Sequence, residues 1–223
     1  MRRVLQKGGP VSYRSLSLVC FRTVMARTNW GRSGGSAGNE QLTAAVAAVL
    51  IVLLAIEGAT LLQLRSLLTV HAFVGMLLIP VVALKLASTG WRMLRYYRGG
   101  KEYVRRGPPH IALRMLVAPL TILSTLMLFG TGVALLVLDQ THGLVVTLHQ
   151  ASFIAFVGAL GVHILTRALK LPQILRRRVP GIGARIGVVA GVIVAGALLA
   201  TVTLPQADRL QDHATAPIGL DAR

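Results

Sequence analysis

Two histidines close the apolar run LHQASFIAFVGALGVH, residues 148–163, and they stand fourteen positions apart. In an α-helix fourteen steps fall about 40° short of four whole turns, so His149 and His163 share one face, about 21 Å apart along the axis. A second run, HAFVGMLLIPVVALK, repeats the interval with His71 and Lys85. Ionisable groups inside long apolar stretches are costly and are functional candidates by default. A neutral imidazole is a good ligand for iron.

The elements that must position these residues are set by the composition. Residues of hydrophobic type make up 54% of the 223, the mean hydropathy is +0.66, and only seven residues are acidic. That balance predicts an integral membrane protein and not a soluble domain. A hydrocarbon core of about 30 Å needs about 20 apolar residues per helix. Windows at roughly 42–63, 67–89, 113–138, 143–166 and 186–204 meet that length, which predicts an all-α bundle of five transmembrane helices. LLQLRSLL stays apolar between the first two, so a tight turn near Arg65 is required. Pro80 and Pro119 fall inside the second and third windows, where they are expected to kink the helix.

The net charge of +17 is distributed by connection. Arg2, Arg3, Lys7, Arg14, Arg22, Arg27 and Arg32 precede the first window. Seven more cations, from Arg92 to Arg114, fill the second connection, and six, from Arg167 to Arg185, fill the fourth. The first connection holds only Arg65 and the third holds no Lys or Arg. This alternation is the positive-inside pattern and predicts a cytoplasmic N-terminus, an external C-terminus and a bacterial cytoplasmic membrane as the location. The basic connections suit anionic membrane lipid. They do not interleave with aromatics as a nucleic-acid-binding module would, and no nucleic acid is expected. Residues 1–41, with GRSGGSAGNE, read as a disordered basic cytoplasmic segment, and 167–185 as a basic cytoplasmic loop. Met25 is a second candidate start, and 205–223 read as a disordered external tail. Cys20, the one cysteine, leaves no intrachain disulfide or thiolate metal site.

With that topology the second and fourth helices run in the same direction. His71 and His149 then lie at matching outer depth, and Lys85 and His163 at matching inner depth. A haem held between two helices needs one histidine from each at equal height, and His71 and His149 meet that condition as the metal ligands. Gly58, Gly75, Gly130 and Gly132 fall in the same half and leave room beside a porphyrin. Glu57 is a carboxyl at membrane depth, a candidate proton or charge site with three readings: protonated, paired with Arg65, or a proton acceptor for a quinol. Trp91, Tyr96, Tyr97 and Tyr103 predict an aromatic belt on the basic side. Arg114 is placed to reach a haem propionate from that side. His110, His142 and His213 are expected at interfaces or in the tail, without a role in the site.

On His71, His149 and His163, residues 42–166 resemble the four-helix b-type membrane cytochromes. These include the cytochrome b of quinol-oxidising bc complexes and the cytochrome b subunits of membrane hydrogenases and formate dehydrogenases. The stretches KLASTGWRMLRYY and GPPHIALR also resemble a group of bacterial membrane proteins, a likeness that brings no activity with it. The first resemblance implies two parallel helices, each with two histidines fourteen apart, and two stacked haems. Here Lys85 stands where the fourth histidine would be. Deprotonating a lysine at neutral pH costs roughly 4–5 kcal/mol, so Lys85 is expected to be a non-ligand that reaches the interface or a propionate. One haem b per chain is the expectation, with electron transfer to or from quinone, a redox partner subunit or another copy of the chain. The alternative is a haem-free membrane scaffold or assembly protein. No Walker, GxSxG or HExxH pattern supports hydrolytic or phosphoryl-transfer chemistry, and no inverted repeat supports transport.

Overall fold

The computed structural model describes residues 35–101, 104, 116–167 and 171–216. Among these residues the chain is helical throughout, without strands: α1 (Gly35–Thr60), a 3-10 turn (Leu61–Gln63), α2 (Leu64–Tyr97), α3 (Ala118–Leu138), α4 (Leu144–Arg167), α5 (Leu171–Leu175), α6 (Ile182–Val202) and α7 (Leu204–Thr215). Four helical stretches are long and apolar enough to cross a membrane, and the first of them, Gly35–Tyr97, runs for 63 residues. Straight, it would extend about 95 Å, three times the hydrocarbon thickness. It folds back instead. Gln63 and Leu67 leave the helical region at the reversal, φ −138° and −114°, on either side of Arg65. Beyond it α1 and α2 pair antiparallel, with the Asn39 side-chain amide donating to the Ser88 carbonyl at 3.1 Å near one end and Glu57 beside His71 near the other.

α2 is the hub, packed by α1, α3, α6 and α7, while α4 rests on α3 and α1 makes at most marginal contact with either. The last apolar helix, α6, thus packs directly on α2. The cause is the small-residue face of α6: a Cβ added at Gly196 would collide with the Leu77 carbonyl, and Ala200 is fully buried. Leu77 lies one turn before Pro80, which α2 accommodates inside the helix. Leu78 and Val81 beside it, with Val46 of α1, are the largest fully buried side chains. Pro119 falls in the first turn of α3, not inside it, where its missing N–H leaves no helical bond unmade. Large apolar side chains remain on the outside, with Ile154, Val137 and Leu165 more than 70% exposed, a surface suited to hydrocarbon solvent.

Two expected coils are helical. Residues 35–41 belong to α1 and bury Ser36 and Gln41, and the Gln41 amide donates to the carbonyls of Leu175 and Arg177. The polar segment after Pro205 forms α7, because Leu204, Ala207 and Leu210 recur at helical spacing. Ala207 and Leu210 join Met76, Leu136 and Ala200 in one buried cluster, so α7 lies over the end of the molecule where α2 begins and α3 ends. Gln211 fastens it: its oxygen accepts from the Thr69 N–H at 2.8 Å, and its amide donates to the Ser66 carbonyl at 3.0 Å. The remainder of the two terminal segments, 1–34 and 217–223, lies outside the described residues.

Candidate functional site

His71 stands two turns into α2, about 10 Å from its start, and His149 about 8 Å into α4. Both helices begin at the end covered by α7, and the two imidazoles meet with ring centroids 6.4 Å apart and planes at 88°. Each ring is fixed through Nδ1. For His71 the neighbours are the Glu57 carboxylate oxygen Oε1 at 3.0 Å and Thr60 Oγ1 at 3.1 Å. Thr60 gives its own hydroxyl proton to the Glu57 carbonyl at 2.6 Å, so it can only accept from the ring. For His149 the neighbours are the Leu128 carbonyl at 3.1 Å and Thr131 Oγ1 at 3.0 Å. A carbonyl cannot donate, and Thr131 directs its proton at the Met127 carbonyl at 2.6 Å.

In both neutral rings the proton is therefore on Nδ1, which leaves the Nε2 lone pair available. Neither Nε2 has a hydrogen-bond partner among the described residues. Two imidazoles, each with an unpartnered Nε2, thus lie with their ring centroids 6.4 Å apart. A second polar atom is left over: Glu57 Oε2 is buried and makes no hydrogen bond. Glu57 is paired with His71, not with Arg65 as one of the three readings of this carboxyl had it. The reason is register: Glu57 is one turn before the end of α1, and the reversal carries α2 back past it.

The glycines divide. A Cβ on Gly132 would lie 3.2 Å from His149 Cε1, so this glycine lets the ring approach α3. One on Gly75 would sit 3.6 Å from Glu57 Oε1, while Gly58 and Gly130 face open space. Lys85 is turned away from α4: its ammonium donates to the Thr43 carbonyl of α1 at 2.8 Å. His163 lies on an exposed part of α4. The structure brings His71, His149, Glu57 and Gly132 together and leaves Lys85 and His163 out of that group. Arg114, His110 and Tyr103 lie outside the described residues. Trp91 and Tyr97 are exposed near the end of α2, with the Arg95 guanidinium 5.7 Å from the Trp91 ring. His142 is an exposed loop residue, but His213 ties α7 to α3 through Asp139 at 2.8 Å.

Sequence reasoning misses the acceptors Thr60, Thr131 and the Leu128 carbonyl. A signal for one was present, since Thr131 is the polar residue of Gly130-Thr131-Gly132 at membrane depth. Among the described residues no three His, Cys, Asp or Glu side chains converge as a metal cage. The donor set is two imidazoles, the number an iron porphyrin leaves to its protein when both axial positions are filled by side chains. The two neighbouring rings, 6.4 Å apart, match that number of donors. The molecule is thus an all-helical protein with membrane-spanning character and a paired-histidine site. No protein-family signature, curated protein or solved structure matches the chain.

Proposed function

We propose that the chain is a five-span b-type cytochrome of the cytoplasmic membrane, holding one haem b between His71 and His149. The observation that carries this reading is the pair of rings 6.4 Å apart, both held through Nδ1 with Nε2 left to coordinate. Metal-binding histidines characteristically donate their second ring N–H to a carboxylate, carbonyl or similar acceptor, and both rings have such partners. The haem would supply reversible one-electron chemistry. The chain's own residues orient the two imidazoles and keep them in the coordinating tautomer. One haem near one face does not carry an electron across the bilayer, so a quinone, a redox subunit or a second copy completes the path. In this reading the α5 side, with its basic connections, faces the cytoplasm and the α7 side faces outward, which the positive-inside pattern supports.

Single substitutions test the reading. His71→Ala and His149→Ala are each expected to abolish the haem absorption of the purified protein, while His163→Ala retains it. Haem retained in both ligand variants would refute the assignment.

A further inference from the structure

The two histidines are not held alike. His149 Nδ1 meets only neutral acceptors, the Leu128 carbonyl and the Thr131 hydroxyl. His71 Nδ1 meets a hydroxyl and a carboxylate. No lysine or arginine makes a salt bridge with Glu57 among the described residues, its Oε2 is buried without a partner, and its side chain is 16% exposed. The short contact to His71 is therefore the one polar contact of its side chain among the described residues.

Resting on the haem reading above, we infer that Glu57 is a positioning residue that acts through His71: its carboxylate holds the ring in the Nδ1–H tautomer and makes Nε2 the stronger electron donor of the two axial ligands. Hydrogen bonds with an ionised acceptor are about twice as strong as neutral ones. An acceptor on the remote nitrogen raises the basicity of the coordinating one. A more basic ligand favours the more positive, oxidised iron, so Glu57 lowers the reduction potential of the site. Thr60 shares the same proton and contributes in the same direction, more weakly because it is neutral.

The test compares wild type, Glu57→Gln and Thr60→Val after haem loading, by potentiometric titration and by the low-spin haem spectrum. A parallel nitrogen-15 spectrum of the haem-free proteins reports the tautomer of His71. Wild type is expected to show one Nδ1–H tautomer. Glu57→Gln should keep the bis-histidine spectrum and move the potential positive, with Thr60→Val moving it less. If Glu57→Gln does not fold, Glu57→Asp retains the charge but withdraws it from Nδ1, and the same positive shift is expected. A haem-loaded variant whose potential equals that of wild type overturns the inference and leaves the haem reading standing. A wild type that takes up no haem overturns both, and the tautomer spectrum then shows whether Glu57 still positions the ring.

Discussion

Each imidazole of the pair gives its Nδ1 proton to acceptors on a neighbouring helix, so the fold itself fixes how both rings are held. Thr131→Val removes one of two acceptors from His149, and loss of such an outer partner costs about tenfold in metal affinity at the low end of the usual range. Haem titration of the purified variant measures it. Gly132→Val is expected to act more strongly, because the added Cβ meets the His149 ring at 3.2 Å and displaces it from its place beside His71. Lys85→Met is expected to leave haem content unchanged, since the ammonium is bound to the Thr43 carbonyl on the far side of α2. A fall in haem content for Lys85→Met would show that it serves the site. The histidine pair was legible in the sequence, because depth and helical spacing depend only on counting residues. The acceptors were not, because which hydroxyl meets Nδ1 depends on how α1 and α3 rotate against their neighbours. The pairing of Glu57 was hidden for the same reason.

At the scale of elements, the reversal at Leu61–Gln63 follows from length alone, whereas the position of α6 does not. Nothing in the apolar pattern of α6 distinguishes packing on α2 from packing on α4; Gly196 and Ala200 decide it by letting two backbones approach. Gly196→Leu must push α6 away from the Leu77 carbonyl, and overpacking of that kind costs about 1–3 kcal/mol. A lowered unfolding temperature in detergent is the expected readout, with haem content falling only as the fold does. α7 is polar enough on average to pass for a tail, and its helical spacing of Leu204, Ala207 and Leu210 is the signal that composition conceals. Gln211→Ala removes both bonds that fasten it, leaving the Thr69 N–H unpaired at a cost of about 1–3 kcal/mol. Hydrogen exchange at Thr69 and its neighbours should accelerate, while exchange in the α3–α4 hairpin stays at the wild-type rate.

For the molecule as a whole, the proposed orientation rests on the charge alternation. In a Cys20→Ser background, a cysteine placed at His142 is expected to react with an impermeant maleimide from outside intact cells, and one at Arg178 only after lysis. The opposite labelling would invert the topology. In that proposed orientation the histidine pair lies near the outer face, and the proposed cytochrome is one station of an electron path rather than the whole of it. The central claim is the haem itself. A reduced-minus-oxidised spectrum of protein expressed with haem available, with a pyridine haemochrome assay for stoichiometry, tests it most directly. One b-type haem per polypeptide, lost on replacing His71 or His149, is the predicted result; a folded protein that carries none would contradict the account.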